Sequence, residues 1–347
     1  MHNNPELSVM MSIYNNMAYL SEAIESILAQ TFENFEFLIT DDGSTDGSIE
    51  IIRYYANMDS RIIPIINSNN MGLGWSLNNM LVRIHAPYIA RMDGDDVADA
   101  ARFARQIDYM EQHKIDVCGT WCKIIGSSHQ KFLKPPTNDA DIKATLLFQS
   151  AFIDPSTIIR TAIIRKVGGY RAEADFAHDY DLWVRLIKIA RMANIPDYLL
   201  SYRCHPGQVS RSSASIQWNA ASNIRRMALK QCGIKASSEE QHIHGLIRYP
   251  VMPGSKLQIK TMEKWLMRLM DMFSGNDTMT QMIRKQWFFV CIRATIFGLW
   301  TYKTYCSSPL GIPTGIKLKS KVQMLLLCVM RIRYQSDLYN SLLRFSS

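Results

Sequence analysis

The sequence predicts an α/β domain with helices on both faces of a mostly parallel sheet, followed by a mainly helical C-terminal region. Two observations predict this class. Over the first 115 residues, short apolar runs of strand length alternate with segments of helical periodicity, and beyond about residue 215 only helical periodicity remains. Repeated strand–helix units favour a parallel sheet. We place the first domain at residues 1–212 and the helical region at residues 213–347.

Four apolar runs of strand length occur in the first 115 residues, and a segment with helical spacing follows each. The strands are predicted at 7–13, 35–40, 61–66 and 88–92, and the helices at 18–30, 44–58, 73–84 and 100–113. Pro64 has no amide hydrogen for a ladder, so it predicts an edge position for the third strand. Ligands of such sheets bind beyond the carboxyl ends of the strands, so residues that directly follow a strand are candidates for function.

The remaining elements are predicted from looser patterns. Between residues 115 and 205 we predict strands at 115–125 and 195–205 and helices at 139–148 and 178–190. Farther along the chain we predict helices at 218–231, 260–273, 287–300 and 321–334. The chain shows no internal repeat and no low-complexity tract.

The composition is that of a globular protein, with 47% hydrophobic and 20% charged residues. The seven cysteines have no paired spacing apart from Cys118 and Cys122, and no histidine pair follows at zinc-finger spacing. We therefore expect reduced thiols in a cytoplasmic protein, with a metal or disulfide as the alternative. The first residues show no basic stretch followed by an apolar core, so we expect no secretion signal. The longest apolar run, 287–300, is too short to span a bilayer and contains Arg293.

Charge divides the chain into an acidic and a basic part. Residues 1–200 contain 18 Lys+Arg and 25 Asp+Glu, a net −7, whereas residues 201–347 contain 21 and 6, a net +15. The basic, Met- and Trp-bearing helices suit the surface of an anionic membrane. The alternative is ordinary helical packing with solvated basic residues. We expect no nucleic-acid binding, because no nucleic-acid module is recognisable.

Acidic residues cluster after the fourth predicted strand, in the stretch YIARMDGDDVADAARF. Asp93, Asp95 and Asp96 occupy three of four positions, and like charges this close are unfavourable unless a cation or hydrogen bonds compensate them. Mg²⁺ and Mn²⁺ prefer such oxygen ligands together with substrate phosphates. Gly94 is expected to let the backbone turn so that the carboxylates converge. The alternative is a solvated Asp/Gly turn.

Two further polar segments lie near the same predicted rim. Asp41 and Asp42 directly follow the second strand, where Asp42 can accept an N–H of a nucleobase or, alternatively, the segment caps the next helix. Asn70 and Gly72 form a turn before the third helix, which is a weak signal by itself.

Two candidates come from the second half of the domain. Asp179, in AHDYDLWVRL, is a candidate general base, and helix capping is the alternative. His205, in YRCHPGQVSR, is a candidate metal ligand or a structural histidine.

Together these segments resemble the inverting glycosyltransferases of family 2, which have the GT-A fold. The likeness covers residues 7 to about 210 and rests on LSVMMSIYNN, FLITDDGSTDGS, NNMGLGWSLNNML, YIARMDGDD, HDYDLWVRL and YRCHPGQVS in that order. It implies a nucleotide-sugar half at 1–115, an acceptor side at 116–212, and a nucleoside-diphosphate sugar, commonly a UDP-sugar, as donor. It also implies a divalent cation, Mn²⁺ or Mg²⁺, and a glycan or lipid-linked acceptor in polysaccharide assembly.

The resemblance assigns roles to individual residues on the donor side. Asp42 looks like the acid that binds the base, beside Asp41, and Ser12 and Tyr14 look like the nucleoside-lining segment, with Asn70 and Gly72 on the same side. Asp93 and Asp95 look like the outer acids of the D-x-D motif, with Asp93 near the ribose and Asp95 on the metal. His205 matches a histidine that approaches the metal and the diphosphate.

On the acceptor side, Asp179 occupies the position of the catalytic base, and His178, Asp181 and Trp183 are predicted to face the acceptor. Relatives usually have Glu where this chain has His178, which is expected to alter acceptor contacts or the pKa of Asp179. The implied reaction is one in-line displacement with inversion. The alternatives are a nucleotidyltransferase, disfavoured because SIYNNMAYLSEA has no Gly, Lys or Arg, and a sugar-nucleotide binder without transfer activity.

Overall fold

The computed structural model describes residues 4–127, 130–174, 176–208, 214–248, 252–311, 318–336 and 338–339. The chain divides into two compact units. The first contains Met1–Leu146 and Ser150–Ile224, and the second contains Leu147–Gln149 and Arg225–Ser347. The predicted boundary between residues 212 and 213 lies outside the described residues, so the division by function stays a prediction.

Four parallel strands form one side of the sheet in the first unit. They are β1 (Leu7–Ile13), β2 (Phe35–Asp41), β3 (Ile62–Ile66) and β4 (Tyr88–Met92). β1 lies between β2 and β4, and β3 pairs with β2. β3 is at the end of the strand order, which confirms the edge position predicted from Pro64. Because these strands run in one direction, their carboxyl ends share one rim of the sheet.

Helices follow these strands as the periodicity predicts. They are α1 (Met17–Leu28), α2 (Ser48–Met58), α3 (Leu73–Leu81) and α4 (Arg102–His113). α1 buries Leu20, Ala23, Ile24 and Ile27, which share one helical face. In β1, Val9, Met10 and Met11 are all fully buried, although neighbouring side chains point to opposite faces of the sheet. This explains why the strand is a continuous apolar run rather than an alternating one.

The second half of the first unit makes the sheet mixed. It contains β5 (Val97–Ala98), β6 (Val117–Ile125), β7 (Lys131–Leu133), β8 (Ile158–Arg160) and β9 (Met192–Arg203), with α5 (Asp139–Leu146), α6 (Thr161–Lys166) and α7 (His178–Leu186). β6 and β9 are parallel, whereas β8 runs antiparallel between β4 and β6, and β5 runs antiparallel to β9. β5, β7 and β8 were not predicted, because strands of two or three residues leave no periodic pattern.

The second unit is helical in its described residues. Its elements are the C-terminal part of α8 (Ala214–Gln231), then α9 (Ser238–Ile247), α10 (Lys256–Met272), α11 (Asp277–Arg293), α12 (Leu299–Ser307) and α13 (Leu318–Val329). The predicted helical run 287–300 is divided, because α11 ends at Arg293 and Gly298 has a φ of +70° before α12. No described helix combines the length and the apolar character that crossing a bilayer requires.

A buried histidine organises part of the second unit. Trp265 donates its indole N–H to Nδ1 of His244 at 3.1 Å, so Nε2 carries the ring proton and donates it to the carbonyl of Leu147 at 2.9 Å. Burial lowers the pKa of His244 to about 4, so the neutral ring is the stable form. All seven cysteines of the chain are free thiols in the structure.

Candidate active site

The acidic segments predicted to share a rim do so. Asp41 ends β2, Asp42 follows it, and Asp93 comes directly after β4. The amide of Asp42 donates to the carbonyl of Ile13, the last residue of β1, at 2.9 Å. The parallel register therefore brings the ends of β1, β2 and β4 to one edge of the first unit.

The loops after β1 and β2 are tied to each other by side chains. The amide of Asn15 donates to Oγ of Ser44, and the amide of Met17 donates to Oδ2 of Asp46, each at 2.9 Å. Helix α2 has Gly47 at its N-cap and no side-chain cap bond. Oδ1 of Asp46 nevertheless accepts from the amide of Ser48, the first residue of α2, at 3.1 Å. These polar residues therefore join the two loops at the rim and also hold the start of α2.

The predicted nucleoside-lining residues lie at the base of this loop pair. Ser12 is half-buried in β1 opposite Thr40 of β2. Tyr14 follows β1 and is 51% exposed. Its planar ring, exposed at the rim, offers a flat surface to a ligand.

Asp42 and Asp41 differ in what their carboxylates contact. Asp42 is buried, and it accepts hydrogen bonds from Nδ2 of Asn67 at 2.7 Å and from the amides of Met71 at 3.0 Å and Gly72 at 2.9 Å. It therefore organises the loop from 67 to 72. Asp41 accepts only from the amide of Ser44, at 3.2 Å through Oδ2, and its buried Oδ1 has no partner in the described structure.

The loop held by Asp42 carries the two predicted turn residues. Asn70 is exposed, and its Oδ1 accepts from the amide of Gly72 at 3.1 Å. Gly72 has a φ of +88°, a conformation that glycine adopts without steric cost. The turn therefore depends on Gly72 and presents Asn70 to solvent.

Asp93, Asp95 and Asp96 converge after β4. Each offers a carboxylate oxygen, and these oxygens lie within 4.8 Å of one another. Gly94 permits this geometry by its size rather than by its φ. A Cβ at Gly94 would lie 2.5 Å from Cγ2 of Ile13 and 2.6 Å from Nδ2 of Asn16. The acidic loop therefore packs directly on the loop that follows β1.

The end of β9 closes this cluster from the other side. Nε2 of His205 lies 2.9 Å from Oδ2 of Asp95. The amide of Arg203 donates to Oδ1 of Asp96 at 2.8 Å, and its Nε donates to the carbonyl of Asp95 at 2.7 Å. These bonds follow from the pairing of β5 with β9, in which Val97 is opposite Ser201.

The charge of this cluster is poorly compensated by the described protein groups. Burial raises the pKa of Asp93 to about 7, against the opposing charge of Arg91 and with a further rise from Asp95. Burial also raises the pKa of Asp96 well above its usual range, with Asp93 and Asp95 adding to the effect. The buried Oδ2 of Asp96 has no partner in the described structure. Convergent oxygen donors with one unsatisfied atom fit a hard divalent cation.

Asp179 lies in the first turn of α7 and is half-buried. Burial raises its pKa, Asp154 adds to the rise, and His178 opposes it. The ring of His178 lies edge-on to that of Tyr170, with centroids 5.9 Å apart. A carboxylate with a raised pKa is a stronger proton acceptor once ionised.

The other two residues predicted on the acceptor side are buried. Asp181 is 1% exposed and forms an ion pair with Nε of Arg185 at 2.8 Å. Trp183 is fully buried, with its ring centroid 5.0 Å from that of Phe152. Any effect of these two on an acceptor therefore passes through the position of α7 rather than through direct contact.

Comparison with known proteins places this site in a family. The model named "Glycosyl transferase family 2" matches residues 8–168. An uncharacterised glycosyltransferase of Haemophilus influenzae is 32% identical over 238 residues, which cover 65% of this chain and 74% of the relative. The chain belongs to glycosyl transferase family 2. The O-antigen biosynthesis glycosyltransferase WbnJ of Escherichia coli is 30% identical over 231 residues, covering 65% of this glycosyltransferase and 90% of WbnJ.

Solved structures support the fold of this glycosyltransferase. TarS of S. aureus in complex with UDP-GlcNAc aligns with a TM-score of 0.59 at 16% identity, covering 92% of this chain and 90% of TarS. The mannosyltransferase PcManGT from Pyrobaculum calidifontis, in complex with GDP-Man and Mn²⁺, aligns with a TM-score of 0.52 at 12% identity. The alignment covers 98% of this chain and 83% of PcManGT. The predicted class, a GT-A-type α/β domain followed by helices, is confirmed.

Two charged residues of this glycosyltransferase, Arg91 and Asp154, join the predicted site although they were not predicted as part of it. Arg91, in β4, is 1% exposed and donates to Oδ1 of Asp93 at 3.0 Å and to Oδ2 of Asp154 at 3.1 Å. It also donates to the carbonyl of Met10 in β1 at 2.9 Å. The available signal was Arg91 itself, a cation within an otherwise apolar strand. Asp154, in a single 3₁₀ turn before β8, carries no comparable signal.

Tyr170 is a third residue of this region that was not predicted from the sequence. Its ring is 3% exposed, and its hydroxyl and Oδ1 of Asp154 are both buried without a partner in the described structure. Burial raises the pKa of the Tyr170 hydroxyl, and Asp154 adds to this rise. Nδ2 of Asn78 in α3 holds the Tyr170 backbone carbonyl at 2.7 Å. Polar atoms left unsatisfied at this rim are available to a ligand.

Proposed function

We propose that this glycosyltransferase transfers a sugar from a nucleoside-diphosphate sugar to a hydroxyl of a glycan or lipid-linked acceptor. The donor class that we propose is the UDP-sugars. The transfer is a single displacement with inversion and depends on Mn²⁺ or Mg²⁺. One observation carries the proposal: the oxygens of Asp93, Asp95 and Asp96 converge within 4.8 Å at the sheet rim, and His205 contacts Asp95.

Asp95, Asp96 and His205 are the residues that would hold the cation, with Asp93 between the cation and the ribose. A bound divalent cation would offset the negative charge that builds up on the departing diphosphate. Arg91 keeps Asp93 in place through its bond at 3.0 Å. The mannosyltransferase whose title includes Mn²⁺ supports a metal in this fold.

Asp179 acts as the general base in this proposal. Its carboxylate accepts the proton of the acceptor hydroxyl, and the resulting oxygen nucleophile attacks the anomeric carbon opposite the diphosphate. The electrostatic influence of Asp154 on both Asp93 and Asp179 supports a position for the base near the donor end of the rim. His178, half-buried beside Asp179, is the acceptor-side residue with an accessible surface.

The donor class and the setting rest on relatives and neighbours. TarS was solved with UDP-GlcNAc and PcManGT with GDP-Man, which supports nucleotide-sugar donors carrying a hexose or an N-acetylhexosamine. WbnJ is named for O-antigen biosynthesis, which supports polysaccharide assembly. We place the reaction at the cytoplasmic face of a membrane, where lipid-linked acceptors are presented.

A donor screen tests the proposal. Thermal unfolding of the full chain would be followed with UDP-sugars and GDP-mannose, each with MnCl₂ or EDTA, and release of UDP or GDP would be assayed in parallel. A donor present at 100 times its Kd stabilises the native state by about 2.7 kcal/mol. We expect stabilisation and release only with the metal, and only for one nucleotide class.

Matched variants make the screen specific. Asp95→Asn should abolish the metal-dependent stabilisation, whereas Asp108→Asn, the same change at an exposed position of α4, should preserve it. Stabilisation by every donor in EDTA would disprove metal dependence. No response to any donor, from a protein that unfolds cooperatively, would disprove the proposed function.

A further inference from the structure

Helix α13 of the second unit has an apolar face that no described residue covers. Leu318, Val322, Leu326 and Val329 are 76%, 47%, 49% and 59% exposed. Their spacing of four, four and three positions places them on one side of a helix. The opposite side packs into the unit through Met324, Leu327 and Cys328, which are buried. The helix is therefore apolar on both sides, although only one side has a protein partner among the described residues.

The chain around this face is strongly basic. Residues 278–336 contain nine Lys+Arg and no Asp or Glu. Lys319, Arg331 and Arg333, near the two ends of the helix, are exposed. These exposed basic side chains would meet an anionic surface with favourable electrostatics.

The most exposed of the other large apolar residues lacks this arrangement. Leu257, in α10, is 77% exposed, but it stands between Lys256 and Gln258, and the residue one turn later, Thr261, is polar. Single exposed apolar side chains are normal on protein surfaces, whereas a continuous stripe indicates a contact surface.

We propose that the α13 face, defined by Leu318, Val322, Leu326 and Val329, docks in the plane of an anionic lipid bilayer. The apolar stripe enters the acyl boundary, and the flanking Lys and Arg side chains contact the lipid headgroups. Twelve residues form a helix about 18 Å long, which suits an interfacial position rather than a transmembrane one.

The apolar stripe and the basic residues that flank it together indicate an anionic bilayer as the partner. A second copy of the chain would bring two basic segments together, which is unfavourable. An anionic polymer would satisfy the charge but would leave the apolar stripe in water. The inference deepens the proposed function, since a lipid-linked acceptor is held at such a surface, but the binding itself requires neither donor nor metal.

Vesicle flotation of the full chain tests the inference without any substrate. The vesicles would contain phosphatidylcholine alone or phosphatidylcholine with phosphatidylglycerol. We expect binding to the anionic vesicles, and at least about tenfold weaker binding for Leu326→Glu, because a charge is placed in the apolar layer. Lys319→Gln/Arg333→Gln should weaken binding most at low salt. Leu257→Glu is the matched control and should bind like the wild type.

Folding and self-association are checked with the same proteins. The melting temperature and the rate of nucleotide release of Leu326→Glu should equal those of the wild type, since Leu326 is not part of the site. Equal vesicle binding by Leu326→Glu and the wild type would overturn the inference. So would a wild-type dimer in analytical ultracentrifugation that Leu326→Glu converts to a monomer, because the face would then be an interface between copies. A wild type that binds neither vesicle overturns the membrane inference but leaves the donor screen unaffected.

Discussion

Nε2 of His205 lies 2.9 Å from Oδ2 of Asp95, although 110 positions separate the two residues in the chain. The contact exists because β5 and β9 pair directly after Asp96 and before His205. Arg203 fixes the same junction through two hydrogen bonds to the acidic loop. The metal site that we propose is therefore assembled from the ends of two strands, β4 and β9.

Replacing His205 should weaken metal binding. We expect His205→Asn to lower the affinity for Mn²⁺ about 10–100-fold, the range for loss of a group that ligates or orients a ligand. Electron paramagnetic resonance of free Mn²⁺, titrated in the presence of UDP, measures this directly. His113→Asn, at the exposed end of α4, is the control. An unchanged Mn²⁺ affinity in His205→Asn would show that the histidine has only a structural role.

Replacing Asp179 should remove the base and keep the donor site. We expect Asp179→Asn to reduce kcat about 10²–10⁴-fold, with the donor Kd measured by calorimetry unchanged. Glu173→Gln, an exposed acid six positions earlier, should retain activity. Normal turnover by Asp179→Asn would refute the base assignment.

The pH dependence of kcat/KM should report the surroundings of Asp179. Burial and Asp154 raise its pKa, while His178 lowers it, and Tyr170 is the other titratable group beside it. Activity should therefore fall as the pH drops through a value above the ordinary one for aspartate, because the base becomes protonated.

Two substitutions should move the acidic limb of the pH–activity profile, where activity falls at low pH, in opposite directions. Asp154→Asn removes a negative charge and retains an oxygen for Arg91, so the limb should move to lower pH. His178→Ala removes the neighbour that lowers the pKa of Asp179, so the limb should move to higher pH. If both variants moved the limb in the same direction, the electrostatic account would fail.

The metal-free protein should lose stability as the pH rises. Asp93 has a pKa of about 7 in the folded state, against 3.8 as its ordinary value. The native state therefore holds a proton that the unfolded state releases, and the free energy of unfolding falls between these two pH values. In EDTA we expect the melting temperature to be lower at pH 8 than at pH 5.5.

Binding of a cation, or removal of one carboxylate charge from the acidic cluster, should counteract the loss of stability at high pH. Mn²⁺ should raise the melting temperature more at pH 8 than at pH 5.5. Asp96→Asn, which removes one charge of the cluster, should reduce the dependence on pH in EDTA. A melting temperature in EDTA that rises or stays constant from pH 5.5 to pH 8 would contradict the expected coupling.

Gly94 should not tolerate a side chain. A Cβ there would meet Ile13 at 2.5 Å, so Gly94→Ala should destabilise the first unit by about 1–3 kcal/mol, as overpacking does, and should weaken Mn²⁺ binding. Gly74→Ala is the control. The nearest atom to its Cβ would be at 3.9 Å, and Gly74 lies in α3, where alanine stabilises by about 0.5–1 kcal/mol. Denaturant unfolding measures both, and equal effects of the two substitutions would be inconsistent with the packing argument.

The parallel part of the sheet and the position of the acids follow from local patterns in the sequence. The predicted strands 7–13 and 88–92 have the bounds observed for β1 and β4, because a strand buried on both faces is a continuous apolar run with abrupt ends. Parallel strands place their carboxyl ends on one rim, so Asp93, Asp95 and Asp96 could be assigned to that rim from local pattern alone.

Which side chains lie at that rim depends on contacts between distant parts of the chain. Asp154 meets Arg91 because β8 inserts antiparallel beside β4, and a three-residue strand has too few positions to display a period. Asp181 and Trp183 share α7 with Asp179 yet are buried, because the helix turns them towards its own packing partners. Periodicity reports burial along one element, whereas a site is defined by contacts between elements far apart in the chain, and these are fixed only when the whole core packs.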